Sequence, residues 1–169
     1  SGGPNSANPH ATPTDRPLQE GDLLVSDWGA SFQGYFSDIT RTFAIGKIEP
    51  EFEHIYQLVL EANAIGRAAC MPENLAGDVD QAARKVIEDG GYGPYFRHRT
   101  GHGLGLEVHE EPYMRAGNPV PLAPGMTFTV EPGIYLLDRG GVRIEDDMLI
   151  TADGSLSLTD LPRELQILG

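Results

Sequence analysis

Four apolar stretches of this sequence are typical of β-strands, and each of them contains one acidic residue. The four residues are Asp27, Asp38, Glu131 and Glu145. Isolated charges are almost never buried in a folded protein unless they are paired or bind a metal. For each residue alone, an exposed position on an edge strand is a sufficient explanation. If the four stretches lie in one curved sheet, however, the carboxylates converge on its inner face and repel one another unless cations balance them.

The segment 97–111 adds histidine to this pattern. It reads RHRTGHGLGLEVHEE and contains three of the five histidines of the chain, His98, His102 and His109. Its glycines lack a Cβ and let another part of the molecule approach the backbone closely. A glycine-rich loop with incidental histidines is the alternative interpretation. Four carboxylates with one imidazole favour a two-metal centre over a structural zinc site, and they suit Mn²⁺ best, followed by Co²⁺, Zn²⁺ or Fe²⁺.

The remaining pattern predicts a mixed α and β domain. Residues 22–45 predict two strands with a reversal between Gly29 and Gly34, and residues 126–135 and 141–150 predict strand patterns interrupted by a glutamate. One helix begins at Pro50 and ends before Pro72, and a second spans about residues 78–89. The first helix has apolar residues at helical spacing, which are Phe52, Ile55, Tyr56, Val59, Ala62, Ile65 and Ala69.

Composition narrows the class of protein. The chain has 169 residues with 40% hydrophobic content, enough for one domain with its own core. The formal net charge of −13 argues against nucleic acid or an anionic membrane as a partner. A single cysteine, Cys70, excludes an internal disulfide and predicts a small buried side chain in a reducing, cytoplasmic compartment. No apolar run has membrane-spanning length.

Nucleotide binding is a weak alternative for the glycine segment. Gly101, Gly103 and Gly105 spell G-x-G-x-G, which lacks the spacing of a dinucleotide-binding loop. Strand-like residues follow them, whereas a dinucleotide-binding loop is followed by a helix.

The sequence resembles a known family in four places. The segments SDWG…FSDITRTF, HRTGHGLGLEVHEEPY, FTVEPGIY and VRIEDD occur in family order and span nearly the whole chain. They are similar to the metallopeptidases with the pita-bread fold, which include Xaa-Pro aminopeptidase, Xaa-Pro dipeptidase (prolidase) and methionine aminopeptidase. The resemblance implies an α+β fold with a curved, mostly antiparallel sheet and helices on its outer face. It also implies a hydrolase whose substrate is a peptide with a free N-terminus.

The resemblance further implies five metal ligands and two divalent metal ions. Asp38 and Glu145 would bridge the two ions. Asp27 would chelate one ion, and His102 and Glu131 would bind the other.

The other histidines and one arginine match substrate-binding positions of the Xaa-Pro branch. These residues are His10, His98, His109 and Arg143. In the implied mechanism, a metal-activated water attacks the peptide bond before proline, and Glu131 carries the proton to the leaving nitrogen. His109 would stabilise the oxyanion or the substrate backbone, while His98 and His10 would hold the residue after the cut. Arg143 would orient the carboxylates.

The resemblance begins partway into the catalytic domain of that family. We therefore expect residues 1–169 to be the C-terminal portion of a metallopeptidase catalytic domain, without the N-terminal domain and the start of the catalytic domain, and the full-length protein to be a homodimer. Two alternatives remain: a methionine aminopeptidase-like enzyme, and a non-catalytic binding module on the same fold. The presence of all five ligands argues against the binding module.

Overall fold

Residues 23–45 form a long antiparallel hairpin, as the sequence predicts. Strand β1 (Leu23–Phe32) pairs with β2 (Tyr35–Ile45), with Asp27 opposite Thr40. The reversal occurs at Gln33 and Gly34, which have φ angles of 52° and 86°, the left-handed values that a two-residue hairpin turn requires. Since side chains of a strand alternate between its faces, Asp38 lies on the same face as this pair, diagonally across from Asp27.

The computed structural model describes residues 1–12 and 14–169. After the hairpin come helices α1 (Pro50–Ala68) and α2 (Ala76–Asp89), then strands β3 (Gly101–Gly103) and β4 (Glu110–Met114). The later strands are β5 (Thr127–Val130), β6 (Gly133–Leu136), β7 (Gly140–Arg143), β8 (Asp146–Ile150), β9 (Ser155–Ser157) and β10 (Gln166–Leu168). Short 3-10 helices span Gly3–Ala7 and Gly93–Tyr95.

The strands form three sheets that meet at the site. Their orders are β1-β2-β10, β4-β3-β5-β8-β9 and β6-β7, and among the described strands only β10 pairs in parallel, with β2. An isolated antiparallel bridge between Thr40 and Glu145 joins the first sheet to the chain just before β8. The predicted fold class, α+β with a curved and mostly antiparallel sheet, is confirmed.

The two late strand patterns each divide at their glutamate. The expected strand 126–135 becomes β5 and β6, and 141–150 becomes β7 and β8. Pro132 follows Glu131 and has no N–H to continue the ladder, so β5 and β8 stay in one sheet while β6 and β7 form a separate hairpin. Because Val130 pairs with Asp146 and Gly133 with Arg143, the two glutamates face each other in the gap.

The helices cover one side of this assembly, as predicted. Helix α1 buries Phe52, Ile55, Tyr56, Val59 and Ala62 in the main core. Ile65, which shares the same helical spacing, is 43% exposed, so the buried face of α1 is narrower than its apolar spacing. Cys70 is fully buried, and burial raises the pKa of its thiol to about 12. No helix in the described ranges is long and apolar enough to cross a bilayer.

The glycines of segment 97–111 permit close backbone packing. A Cβ on Gly101 would overlap the carbonyl of Thr129 on β5, and a Cβ on Gly103 would overlap the backbone of Glu110 and Glu111 on β4. The neighbouring strands therefore lie too close for any larger residue, which positions His102 between β4 and β5.

We expect Gly101→Ala to destabilise the fold by about 1–3 kcal/mol or more, because the neighbour in its way is backbone rather than a movable side chain. Urea unfolding followed by circular dichroism measures the change. Gly154→Ala is the matched control, since its nearest atom, Thr151 Oγ1, lies 4.0 Å from the added Cβ. Equal midpoints for both variants would contradict the close-packing explanation.

Candidate metal centre

One cleft collects every side chain that the sequence assigned to the site. It has a volume of about 690 Å³. The predicted residues that line it are His10, Asp27, Asp38, His98, His102, His109, Glu131, Arg143 and Glu145. The structure thus brings these side chains together, while the role of each remains a prediction.

Asp38, His102 and Glu145 form the tightest group. One ligand atom from each lies within 4.8 Å of the other two. Asp38 comes from β2, His102 from β3 and Glu145 from the gap between β7 and β8. Glu131 lies at the edge of this group, with its Oε1 3.5 Å from His102 Nε2. Donors from three parts of the chain thus meet where the sheets join.

His102 has the tautomer that metal binding requires. Its Nδ1–H donates to the carbonyl of Gly103 at 3.0 Å, which leaves the Nε2 lone pair facing the carboxylates. Burial lowers the pKa of His102 to about 4, so the ring is neutral at physiological pH.

The carboxylates of the cleft carry uncompensated negative charge. Burial raises the pKa of Asp38, and the neighbouring Asp27 charge adds to the rise. Burial likewise raises the pKa of Glu131 and, well above its ordinary value, that of Glu145. The charges of Glu131 and Asp38 further disfavour ionisation of Glu145. Each of these groups would be stabilised in its ionised form by a nearby cation.

Asp27 is held by Arg143 and stays outside the tight group. Its Oδ2 accepts a hydrogen bond from Arg143 Nη2 at 2.5 Å, and its side chain is 45% exposed. The Arg143 side chain is 4% exposed and its Nε lies 4.0 Å from Glu131 Oε2. Arg143 therefore contacts Asp27 directly and approaches Glu131.

Thr40 is a site residue that sequence reasoning did not assign. Its hydroxyl donates to Glu145 Oε2 at 2.6 Å and accepts from Arg143 Nε at 3.1 Å. The signal was available, because Thr40 shares a strand face with Asp38.

Tyr135 is a second unassigned residue, and it connects His98 to Arg143. His98 Nδ1–H donates to the carbonyl of Arg99 at 2.7 Å, so His98 Nε2 accepts from the Tyr135 hydroxyl at 2.8 Å. That hydroxyl also accepts from Arg143 Nη1 at 3.1 Å. Both ring nitrogens of His98 thus bond within the protein, although the ring lines the cleft.

The other two histidines are more accessible. His109 is exposed, and its ring centroid lies 4.2 Å from that of His102. His10 is also exposed and lines the cleft beside Pro9, whose carbonyl accepts from Arg143 at 3.3 Å. These two imidazoles can therefore reach a molecule in the cleft without rearrangement of the core.

Two further arginines, Arg99 and Arg115, line the cleft without carboxylate partners. Among the described residues, neither has an acidic oxygen within 4.0 Å. The Arg99 guanidinium instead stacks 4.4 Å from the ring centroid of Tyr113. Arginines without an acidic partner are unexpected in a chain with a net charge of −13. These two side chains give the cleft a local positive region.

The donor set fits divalent metal. Oxygen ligands with one neutral imidazole are typical of divalent first-row ions, and the crowded carboxylates are groups that such ions would stabilise. Asp38, His102 and Glu145 could hold the first ion, with Glu131 adjacent. The donor set and the curved sheet together describe a carboxylate-rich metalloprotein.

Comparison with known sequences identifies the family. The chain belongs to metallopeptidase family M24, whose family model matches residues 1–152. Members of this family use divalent metals, in agreement with the donor set.

Named relatives match nearly the whole chain. The chain is 49% identical over 166 residues to the putative dipeptidase YkvY of Bacillus subtilis, and 47% identical over 163 residues to the Xaa-Pro dipeptidase of Pyrococcus horikoshii, covering 98% and 96% of this chain. It superposes on the crystal structure of prolidase from Thermococcus sibiricus with a TM-score of 0.98, 46% identity and 99% coverage. The chain spans 46% of the length of each of these three proteins.

We expect Tyr135→Phe to lower the free energy of unfolding by about 1–3 kcal/mol, because the buried Arg143 and the half-buried His98 each lose a partner while the ring is retained. Urea unfolding at pH 7.5 or so measures this change.

Tyr92→Phe is the matched control for the lost hydroxyl. The Tyr92 hydroxyl bonds Glu51 at 3.2 Å beside α1, away from the cleft, and its removal should change stability by less than about 1 kcal/mol. If both variants unfold at the same midpoint, Tyr135 does not support the site in the way described.

Proposed function

We propose that the protein containing this chain hydrolyses the peptide bond between an N-terminal residue and proline, with two divalent metal ions as cofactors. The observation that supports this most strongly is that the five side chains proposed as metal ligands and the four proposed to contact substrate line one cleft. The relatives named Xaa-Pro dipeptidase and prolidase support the same substrate class.

The metal centre would use Asp27, Asp38, His102, Glu131 and Glu145, with Asp38 and Glu145 shared between the ions. Mn²⁺ is the ion we propose, because four carboxylates and one imidazole form a largely hard, oxygen-rich ligand set. When bound, such a pair supplies a water nucleophile at neutral pH and polarises the scissile carbonyl. Asp27 would have to bind a metal ion while it also keeps its ion pair with Arg143.

The chain's own residues then handle protons and substrate. Glu131 accepts the proton of the attacking water and delivers it to the leaving nitrogen of proline. His109, which is exposed beside His102, donates to the developing oxyanion. His98 and His10 hold the residue after the cut. The ring of His98 has a fixed orientation, because Arg99 and Tyr135 bond both of its nitrogens.

The arrangement of charge favours dipeptides over longer peptides. Acidic groups concentrate around Asp27 and Asp38, whereas Arg99 and Arg115 leave unpaired positive charge on the same cleft. An extended dipeptide places its ammonium and carboxylate about 7 Å apart. We therefore propose that these arginines bind the C-terminal carboxylate, which a dipeptide alone presents one residue after the cut.

Neither alternative has an observation in its favour. The relatives named above are dipeptidases and a prolidase rather than methionine aminopeptidases, and the complete donor set argues against a binding module. A homodimer and a cytoplasmic location remain our proposals for the full-length protein, the second because the one cysteine is a free thiol.

Hydrolysis by the full-length protein tests the proposal. The protein is stripped of metal, refilled with Mn²⁺, Co²⁺ or Zn²⁺, and assayed on Xaa-Pro dipeptides, Xaa-Pro tripeptides and Met-Ala peptides. We expect metal-restored cleavage only before proline and fastest with dipeptides. Stoichiometric metal without cleavage of any of these peptides would contradict the proposed function.

The carboxylate assignment gives a separate prediction. Arg99→Ala and Arg115→Ala should each raise the KM for an Xaa-Pro dipeptide about 10-fold or more, since each removes a charge-assisted hydrogen bond. The KM for the corresponding Xaa-Pro amide, which has no carboxylate, should change little.

Arg97→Ala is the control, because Arg97 is an exposed neighbour that does not line the cleft. An equal rise in KM for the dipeptide and its amide would show that the two arginines do not bind the carboxylate.

A further inference from the structure

Asp147 is a buried acidic residue next to the site that the proposed function does not use. It lies in β8, two residues after Glu145, and is 6% exposed. Its Oδ2 accepts a hydrogen bond from the backbone N–H of Asp38 at 3.1 Å. Its Oδ1 is the one buried side-chain polar atom without a hydrogen-bond partner among residues 1–12 and 14–169.

The residue lies behind Asp38 rather than in the metal cluster. Together with Asp38, Asp147 lines a recess of about 420 Å³ whose other walls include Phe36, Leu104 and Leu158. It is absent from the group of donor atoms that lie within 4.8 Å of one another. Asp147 is thus separated from the cleft by Asp38, which borders both spaces.

The hydrogen bond from the Asp38 N–H does not require a charged acceptor such as the Asp147 carboxylate. A neutral amide oxygen could accept the same N–H without burying a negative charge. In the metal-free protein, the Asp147 charge is also repelled by Asp38 and Asp146. Cations in the neighbouring cleft would stabilise this charge.

We propose that Asp147 is a positioning residue for the metal ligand Asp38, and that its charge strengthens cation binding while it destabilises the metal-free protein. The hydrogen bond fixes the backbone of β2 at Asp38, which determines where that carboxylate points. The negative charge behind it raises the affinity of the cleft for divalent ions. This inference rests on the metal centre of the proposed function.

The test uses Asp147→Asn and Asp147→Ala in the full-length protein at pH 8, with Co²⁺ as the probe. Calorimetry gives the Co²⁺ dissociation constant, the visible spectrum of bound Co²⁺ gives ligand geometry, and thermal unfolding gives the stability of the metal-free protein. Asp160→Asn is the control, because Asp160 lines the same recess but is exposed and has no bond to Asp38.

Asp147→Asn should weaken Co²⁺ binding about 10-fold, raise the Tm of the metal-free protein and leave the Co²⁺ spectrum unchanged, because the amide oxygen still accepts the Asp38 N–H. Asp147→Ala should weaken binding further and alter the spectrum. Asp160→Asn should match the wild type in all three measurements.

An Asp147→Asn protein with wild-type Co²⁺ affinity would overturn the inference while the proposed function stands. A lower metal-free Tm for that variant would also overturn it, since the residue would then have an ordinary structural role. A wild-type protein that binds no Co²⁺ would overturn the proposed function and this inference together.

Discussion

The contact between Thr40 and Glu145 joins the two parts of the molecule from which the site is built. The backbone N–H of Glu145 donates to the Thr40 carbonyl at 3.1 Å, and the Thr40 hydroxyl donates to the Glu145 carboxylate at 2.6 Å. Arg41 Nη1 donates to the carbonyls of both residues, at 2.9 and 2.7 Å. The hairpin that carries Asp27 and Asp38 is thereby fixed against the segment that carries Glu145, so the distances from these two aspartates to Glu145 depend on this junction.

The same junction concentrates negative charge that the protein only partly balances. Arg143 pairs with Asp27 and approaches Glu131, but its one positive charge cannot offset Asp38, Glu131, Glu145 and Asp147 as well. Burial is the main reason that the pKa values of these four groups are raised, and the charges of neighbouring carboxylates add to the rise. Crowded carboxylates without a cation lower the stability of the fold, and such a loss of stability is common at binding sites. Metal ions would supply the missing positive charge, and in the proposed function they also supply the chemistry.

Much of this arrangement could be predicted from the sequence, for identifiable reasons. Acidic residues in apolar strand patterns are rare enough that Asp27, Asp38, Glu131 and Glu145 stood out, and the order of the motifs supported their grouping. Thr40 could have been found from strand alternation. The division of the strands at Glu131 could also have been expected, because Pro132 cannot continue a ladder. The exposure of Ile65 depends on which side of α1 packs on the sheet. The spacing of apolar residues alone does not show how wide the buried face of the helix is.

Other features depend on neighbours that are distant in sequence. Tyr135 reaches His98 across 37 positions, and Asp147 reaches the amide of Asp38 across 109. Nothing local distinguishes these residues from other buried Tyr and Asp residues. The unpaired state of Arg99 and Arg115 is likewise a property of the assembled cleft, since a sequence shows a charge but not whether a partner lies beside it.

We propose that the junction of the sheets holds two divalent ions through shared carboxylates. Its most direct test is the metal content of the full-length protein after equilibrium dialysis against Mn²⁺, compared with that of Glu145→Gln. We expect two ions per chain in the wild type and the loss of both in the variant, because Glu145 would bridge them. A wild-type protein without bound metal, or a Glu145→Gln protein that retains both ions, would contradict it.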